Sequence, residues 1–346
     1  MRAVVCRQFG VDAAVQVEDL PVPRVDDFGV RIGVCATGAS FANLLVLAGT
    51  HQNKPELPFT PGTEVSGVVL ACGPRVSLFK PGDRVAAGIR RGGFAEQIVS
   101  PQRTVFAIPS DMDHDSAVSF PVIYGTAYGA LKWRARLAAG ETVLVHGAAG
   151  GSGMGAIEVA RCLGARVIAS VSSEAKAAAC RRHGADEVIN HREQPLREAV
   201  LALTRGRGVD VVFDPVGGEA FAESLRCIAP EGRLISIGFA SGHIPQVPAN
   251  IVLVKNFDVI GIYWGHYMGW GRLASLPGEE DRVRAAMAEM IGWWAQGRLR
   301  PETYAAYRLD DFRAALAALS AREVIGRVVL NPLTEAQIAQ QPGVFA

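Results

Sequence analysis

A run of glycines between a β-branched segment and a helical pattern narrows the folds open to this 346-residue chain more than any other feature. Residues 142–145 read Thr-Val-Leu-Val, residues 147–155 read Gly-Ala-Ala-Gly-Gly-Ser-Gly-Met-Gly, and a helical pattern follows from Ile157. A strand, a tight turn and a helix N-terminus in that order present free backbone N–H groups and a favourable dipole to a diphosphate. An ordinary strand-to-helix turn can carry the same glycines, but the strand before them and the helix after them favour dinucleotide binding. The predicted contacts are Ala149, Gly150, Gly151, Ser152, Gly153 and Met154.

The residues after the next predicted strand, 166–171, indicate which dinucleotide is bound. An NAD site usually has an Asp or Glu there, about twenty residues beyond the glycines, which binds the ribose 2′-hydroxyl. Here Ser172 and Ser173 stand instead, followed by Lys176. Two hydroxyls and an ammonium suit a 2′-phosphate, and no carboxylate stands there to repel it. The sequence therefore predicts NADPH rather than NADH. The alternative is that a serine only caps the next helix and that Lys176 is solvated.

The composition excludes several classes of partner. Lys and Arg number 35 against 34 Asp and Glu, so no overall field attracts nucleic acid or an anionic membrane. The six cysteines are scattered and form no Cys-x-x-Cys, which favours reduced thiols over a disulfide framework or a zinc knuckle. The N-terminus lacks a signal-peptide pattern, and no apolar run is long enough to span a membrane. We expect a soluble, cytoplasmic protein.

The pattern of predicted elements changes near residue 122 and again near residue 262. Residues 1–122 contain short strands separated by turns, which predicts a sandwich or small barrel. Residues 123–262 alternate strands with helices, which predicts a parallel doubly wound sheet with strands near 142–147, 166–171, 188–190, 210–214, 233–238 and 257–263. Residues 263–346 add helices around 281–296 and 310–319 and a strand at 327–330, and we expect this segment to return to the first domain. Residues 333–346 are predicted to be a peripheral helix or a frayed tail.

The apolar runs 251–254 and 259–264 lie at the end of the predicted α/β sheet. An edge strand there could pair with its copy across a two-fold axis, which predicts a homodimer through the Rossmann edge strand. An interior strand would have the same sequence pattern.

Motifs along the whole chain resemble those of the zinc-free quinone oxidoreductase (zeta-crystallin-like) branch of the medium-chain dehydrogenase/reductase superfamily. Besides the glycine turn, they are the segments 40–45, 58–67, 79–85, 92–96, 124–128, 184–190 and 214–218. The resemblance implies an α/β protein: a GroES-like β-barrel catalytic domain plus a Rossmann doubly wound parallel-sheet cofactor domain. It further implies NADPH as hydride donor and a homodimer.

Two positions argue against a catalytic zinc ion. Zinc-dependent relatives have a Cys in the first of these motifs and a His before the Glu of the second, where this chain has Ser40 and Thr63. Neither side chain replaces a thiolate or an imidazole as a zinc ligand. The closely spaced cysteines of a structural zinc site are also missing from the sequence. We therefore expect no bound metal, which disfavours alcohol dehydrogenation.

The resemblance also implies roles for residues outside the glycine turn. It places Thr126 near the nicotinamide, Gly238 and Phe239 along its edge, and Val216 in a cofactor-domain motif. Trp264, beside Tyr263, would line the closing wall of the pocket, although a core or dimer-interface aromatic is the alternative. His191 and Arg322 would reach the 2′-phosphate, unless they are a surface loop residue and a solvated helix-end charge.

No strong acid–base constellation is visible in the sequence. Reduction of a quinone or an activated alkene needs a hydride and then a proton, and water can supply the proton. Candidates for a chemical role are Ser40, which could orient a carbonyl, and His51 and Tyr124 as proton donors.

The predicted function is zinc-independent, NADPH-dependent hydride transfer to quinones or other conjugated, α,β-unsaturated carbonyl compounds. One alternative is an enoyl- or acryloyl-CoA or 2-alkenal reductase, for which Arg90 and Arg91, or Arg134 and Arg136, could bind the CoA phosphates. A non-enzymatic alternative is a crystallin-like NADPH-binding structural protein. The balanced charge argues against nucleic-acid binding.

Overall fold

The structure of the chain is a computed structural model that describes residues 1–52, 54–270 and 278–340. The described residues form two units: Met1–Val122, Gly265–Met287 and Glu302–Ala346 make the first, and Ile123–Trp264 and Ala288–Pro301 make the second. Each unit has its own sheet. Every helix in the described ranges is too short or too polar to cross a membrane.

The elements are numbered in chain order. The strands are β1 Arg2–Cys6, β2 Val15–Asp19, β3 Gly29–Ala39, β4 Glu64–Cys72, β5 Arg84–Gly88, β6 Gln97–Pro101, β7 Val105–Ala107, β8 Thr142–Val145, β9 Arg166–Val171, β10 Glu187–Asn190, β11 Val209–Asp214, β12 Ile228–Ser236, β13 Asp258–Gly261, β14 Thr303–Arg308 and β15 Arg327–Asn331. The α-helices are α1 Phe41–Leu47, α2 His114–Ala117, α3 Gly125–Tyr128, α4 Gly151–Cys162, α5 Glu174–Arg182, α6 Leu196–Leu203, α7 Gly218–Cys227, α8 Ala249–Lys255, α9 Trp264–Tyr267, α10 Glu279–Ala295, α11 Phe312–Ser320 and α12 Glu335–Ala339. Single 3-10 turns occur at Asp12–Ala14, Gln102–Thr104 and Leu309–Asp311, and π-helical turns, Phe120–Tyr124 and Gly129–Arg134, flank α3.

The second unit contains a six-stranded parallel sheet in the order β10-β9-β8-β11-β12-β13. Counted from β8, this is the 3-2-1-4-5-6 order of a dinucleotide-binding fold, so the predicted doubly wound sheet is confirmed. Leu144, Ile168, Val212 and Leu234 come from four adjacent strands and are completely buried. Burial on both faces explains why these strands are continuous apolar runs in the sequence. The strand order reverses between β8 and β11, and ligands of such sheets bind at the carboxyl ends of the strands at this switch point.

The first unit contains a sheet in the order β14-β15-β3-β4-β5-β7, with β6 also paired to β3 and a separate β1–β2 hairpin. Its core is lined by fully buried β-branched residues such as Val30, Ile32, Val65 and Val85. The strand β15 pairs antiparallel with β3, so the C-terminal segment does return to the first unit as predicted. The peripheral helix also forms: α12 inserts the buried Ile338 against Gly33. Residues 341–346 lie outside the described part of the chain.

Several boundaries differ from the sequence analysis. The strand predicted at 233–238 spans Ile228–Ser236, and the one predicted at 257–263 spans Asp258–Gly261. Residues 288–301, which we had placed in the C-terminal segment, group with the second unit. Tertiary bonds explain this difference, because Lys132 Nζ donates to Glu289 at 2.6 and 2.8 Å and the Arg300 N–H donates to Glu158 at 3.0 Å.

Candidate functional site

The glycine turn joins β8 to α4 in the predicted strand–turn–helix arrangement. Gly147 has a φ of +55°, which a glycine adopts without strain, and Gly150 is the N-cap of α4. A Cβ on Gly153 would lie 2.4 Å from the Gly147 carbonyl oxygen, so the close approach of helix and turn requires glycine there. Ala148, in place of the usual first glycine, is fully buried. The backbone N–H groups of the first turn of α4 lack acceptors within the helix and suit a diphosphate.

The neighbouring strand β11 ends in a buried carboxylate that shapes the next loop. Asp214 is 1% exposed, and its Oδ1 accepts hydrogen bonds from the N–H groups of Val216 at 2.8 Å and Gly217 at 2.9 Å. A Cβ on Gly147 would lie 3.2 Å from Val216 Cγ2, so this loop borders the glycine turn. Asp214 was not predicted as a site residue, although an Asp at a strand end before Pro-Val-Gly-Gly is a recognisable loop signal.

The loop after β12 contacts the loop that follows β11. Phe239 Cδ1 would lie 3.0 Å from a Cβ on Gly217, and the Gly238 carbonyl oxygen 3.6 Å from it. Phe239 is half-buried. The structure therefore brings Val216, Gly238 and Phe239 together at the carboxyl ends of β11 and β12, beside the glycine turn.

The predicted 2′-phosphate residues lie at the carboxyl ends of β9 and β10. Lys176 Nζ donates to Ser172 Oγ at 3.4 Å, and both side chains are half-buried. Ser173 is the N-cap of α5 and accepts from the Lys176 N–H at 3.4 Å, which is the capping role that we considered as the alternative. His191 directly follows β10, and its Nδ1 lies 3.2 Å from the Oγ of Ser170 near the end of β9.

The charge around His191 is predominantly positive. Partial burial of the ring lowers the pKa of His191 from its ordinary value of 6.5, and the charges of Arg192 and Lys176 lower it further. Glu219 acts in the opposite direction. An anion bound beside Lys176 and Ser172 would thus also face His191. The three residues have the composition of an anion site.

Tyr124 and Trp264 are both buried. Tyr124 is 2% exposed, and its hydroxyl donates to Glu158 Oε2 at 2.6 Å. Trp264 is 3% exposed, stacks on Trp133 with ring centroids 5.6 Å apart, and covers Gly125 and Gly129. Trp264 thus packs as a buried aromatic, and its predicted place on a pocket wall stays a prediction. Thr126, on α3, is half-buried.

Ser40, His51 and Arg322 belong to the first unit. The Ser40 N–H and Oγ donate to Asn43 Oδ1 at 2.8 and 3.1 Å, so Ser40 caps α1. His51 is half-buried, and its N–H donates to the Leu45 carbonyl at 3.2 Å. Arg322 follows α11 with a φ of +58°, and its guanidinium lies 5.6 Å from the centre of the Phe41 ring. The chemical roles of all three stay predictions.

Three of the cysteines have little thiolate character at neutral pH. Burial raises the pKa of Cys35 and Cys227 to about 12 and that of Cys162 to about 11. Among the described residues, no group of three or more His, Cys, Asp and Glu side chains is arranged to hold a metal ion.

Comparison with known proteins places these features in a wider context. The family model of the alcohol dehydrogenase GroES-like domain matches residues 26–110, and that of the zinc-binding dehydrogenase matches residues 151–276. The chain is 38% identical over 333 residues to quinone oxidoreductase-like protein 2 of Rattus norvegicus, covering 95% of this chain and 92% of that protein. It is 34% identical over 320 residues to the quinone oxidoreductase of Homo sapiens, covering 91% and 92%.

Solved structures give the same picture. The quinone oxidoreductase of Escherichia coli complexed with NADPH matches with a TM-score of 0.87 and 26% identity, covering 96% of this chain and 100% of that one. A mycobacterial protein complexed with NADPH matches with a TM-score of 0.88 and 30% identity, with the same coverage of both chains.

Proposed function

The chain belongs to the quinone oxidoreductase branch of the medium-chain dehydrogenase/reductase superfamily, and we propose that it is an NADPH-dependent reductase of quinones or other conjugated carbonyl compounds that works without zinc. Membership makes it an oxidoreductase with a GroES-like domain and a Rossmann-type domain. The coenzyme, the substrate class and the independence of zinc are the proposal.

The anion site at the ends of β9 and β10 carries the choice of coenzyme. Lys176 Nζ contacts Ser172 Oγ, and the charge of Lys176 lowers the pKa of His191. An NAD site would need a carboxylate acceptor for the ribose 2′-hydroxyl at this strand end, where Ser172 and Ser173 stand. Relatives of the same branch were solved with NADPH.

The residues of the second unit fit such a coenzyme. The first turn of α4 would bind the diphosphate, Ser172, Lys176 and His191 the 2′-phosphate, and Val216, Gly238 and Phe239 would border the chain of the dinucleotide towards Thr126. When bound, NADPH supplies a hydride. Hydride transfer is favoured where the reactants are held close together and water is excluded.

Few of the protein's own groups are available to move the proton. The Tyr124 hydroxyl is buried and donates to Glu158, and the Ser40 hydroxyl donates to Asn43. We propose that water protonates the enolate or hydroquinone anion. If a side chain donates the proton instead, His51 is the candidate. No Lewis acid is needed for a conjugated acceptor, whose own π-system takes up the charge, and this agrees with Ser40 and Thr63 at the positions of zinc ligands.

We further propose a homodimer formed through the edge of the six-stranded sheet, in the cytoplasm, with a small electrophile as the substrate and neither nucleic acid nor membrane as a partner. The strand β13 lies at that edge. Beside it in the chain, α8 is fully described and buries none of its residues, and Leu253 and Val254 are 76% and 69% exposed. Exposed apolar side chains beside an edge strand are typical of an interface.

The decisive experiment follows NADPH oxidation by absorbance with a quinone, a 2-alkenal and crotonyl-CoA. We expect turnover with the quinone or the alkenal, a preference for NADPH over NADH, and no stoichiometric zinc by metal analysis. A much higher kcat/KM for crotonyl-CoA that falls in Arg90→Ala/Arg91→Ala would favour the acyl-CoA alternative, since both arginines are exposed. NADPH binding without turnover of any electrophile would favour a structural role, and stoichiometric zinc would contradict the proposal.

A further inference from the structure

One buried carboxylate joins three separate segments of the second unit. Glu158 lies in the middle of α4 and is 3% exposed. Its Oε2 accepts the Tyr124 hydroxyl at 2.6 Å and the Arg300 N–H at 3.0 Å, and its Oε1 lies 2.7 Å from His183 Nδ1. The His183 side chain is 8% exposed.

The hydrogen-bond chemistry determines where the proton of His183 lies. A carboxylate only accepts, so His183 Nδ1 must carry a hydrogen and donate it to Glu158. With Tyr124 and Arg300 as the other donors, the carboxylate receives three hydrogen bonds. A buried carboxylate is costly unless it is satisfied in this way, and an apolar side chain at its place is often as stable or more so. Stability alone is therefore a weak reason for an acid at this position.

Two of the segments that Glu158 touches, and the helix α4 that carries it, continue into predicted cofactor contacts. Tyr124 directly precedes α3, which carries Thr126. His183 ends α5, a nine-residue helix about 13 Å long whose first turn carries Lys176 and whose N-cap is Ser173. Glu158 itself lies about two turns after Gly151, where α4 starts at the glycine turn. One side chain thus connects the helix at the diphosphate with those at the 2′-phosphate and near the nicotinamide.

We propose that Glu158 is a positioning residue that sets the placement of α3 and α5 relative to the glycine turn and so tunes NADPH binding and hydride transfer. That NADPH is the coenzyme rests on the proposed function, whereas the contacts of Glu158 do not depend on it. Glu158 touches neither coenzyme nor substrate; it acts through Tyr124 and His183. Misplacement of reacting groups by a fraction of an ångström lowers rates strongly even when the mutated residue is distant.

The main test compares Glu158→Leu with Glu141→Gln. Glu141 is a half-buried carboxylate of the same unit that pairs with Arg233 at 2.7 Å at the opposite, amino end of the sheet, so its loss also destabilises the unit. We expect Glu158→Leu to raise the Kd for NADPH and to lower kcat/KM by about 10- to 100-fold. Glu141→Gln should change neither, when both are measured well below their Tm. Equal effects of the two variants would overturn the proposal.

Glu158→Gln provides the conservative rescue. Its amide oxygen can accept from Tyr124 and the Arg300 N–H while its NH₂ group donates to His183 Nδ1, provided that His183 is neutral with the hydrogen on Nε2. We expect near wild-type NADPH binding at pH 8 and a loss at acid pH, where an imidazolium cannot accept this bond. A Gln variant as impaired as Leu at pH 8 would contradict the hydrogen-bond argument.

Amide hydrogen exchange separates this inference from the proposed function. In Glu158→Leu we expect faster exchange at residues 124–128 and 174–183 and at the Arg300 N–H, which loses its acceptor, and no such change in Glu141→Gln. If wild-type protein fails to bind NADPH, the proposed coenzyme is wrong, and the exchange pattern still decides whether Glu158 positions these helices. If Glu158→Leu does not fold, His183→Leu is the substitute, because it breaks only the link from Glu158 to α5. A larger loss of NADPH binding than of NADH binding supports the proposal. An unchanged ratio of the two Kd values overturns it.

Discussion

Arg327 and Glu64 form an ion pair inside the first unit, with side-chain exposures of only 4% and 2%. The pair joins β15 to β4, and Arg327 Nη1 also donates to the Val118 carbonyl at 3.2 Å. Gly38 lies directly under the guanidinium, since a Cβ there would be 1.3 Å from Arg327 Nη2. The late strand is thus attached to the N-terminal sheet by charge as well as by backbone pairing.

Removing one member of this pair should destabilise the first unit strongly. Because Arg327→Met leaves the Glu64 carboxyl buried without its counter-charge, we expect a loss of about 3–5 kcal/mol in the free energy of unfolding. Arg2→Met is the control: the exposed Arg2–Asp310 pair (43% and 45%) should contribute at most about 1 kcal/mol. Urea unfolding measures both. A loss for Arg327→Met no larger than for Arg2→Met would contradict the prediction.

Lys176→Ala should discriminate between coenzymes. We expect the Kd for NADPH to rise about tenfold or more, since a charge-assisted hydrogen bond contributes about 1.5–3 kcal/mol, with little change for NADH. Lys255→Ala is a matched control, because Lys255 Nζ donates to the Leu225 carbonyl at 2.7 Å, away from the predicted site. Binding is followed by coenzyme fluorescence. Equal losses for NADPH and NADH would remove Lys176 from the 2′-phosphate site.

NADP⁺ binding should strengthen at acid pH through His191. The pKa of His191 lies below 6.5 in the free protein, so the imidazolium forms only below that pH, and a bound phosphate favours it. The affinity of the wild type relative to His191→Gln should therefore rise as the pH falls from the pKa of His191 in the complex towards its lower pKa in the free protein. Titration calorimetry with NADP⁺ from pH 8 to 5.5 measures this ratio, in which the phosphate's own protonation cancels. A constant ratio would show that His191 does not contact the phosphate.

His146 should make the protein sensitive to acid. Its Nε2 lies 2.7 Å from Ser224 Oγ, which donates to the Ala220 carbonyl, so Nε2 carries the hydrogen. Burial lowers the pKa of His146, so the unfolded chain binds the proton first as the pH falls through about 6.5. The free energy of unfolding then decreases by up to about 1.4 kcal/mol per pH unit below that value. We expect His146→Gln to lose this component in urea unfolding at pH 7.5 and 5.5. The same pH slope in both proteins would refute it.

Leu253→Asp should separate the proposed dimer. A charge at an exposed apolar side chain beside the edge strand costs desolvation only in the assembled form. Sedimentation velocity should show that the wild type is a dimer and the variant a monomer. At a low protein concentration, the two NADPH-bound proteins should have the same Tm. Leu78→Asp, a 51% exposed leucine of the first unit, is the control and should stay dimeric. A monomeric wild type, or a dimeric Leu253→Asp, would exclude this interface.

Local patterns were sufficient for the doubly wound sheet, the glycine turn and the return of β15, since strand periodicity and turn chemistry are properties of short segments. They also predicted that Ser172 and Lys176 lie at the end of β9, because that end follows directly from the strand pattern; their role at a 2′-phosphate stays a prediction. The burial of Tyr124 and Trp264 could not be predicted from the sequence, since an aromatic near a glycine has the same local pattern in a core and at a pocket.

The order of residues along the chain was enough to establish the fold class and the strand ends where a dinucleotide would bind. Packing in three dimensions was needed to learn that residues 288–301 group with the second unit, that Trp264 covers Gly125, and that Glu158 connects Tyr124 with His183. These contacts join residues far apart in the chain. No local preference encodes them; they form because buried charges and large apolar surfaces must find partners once the sheets have assembled.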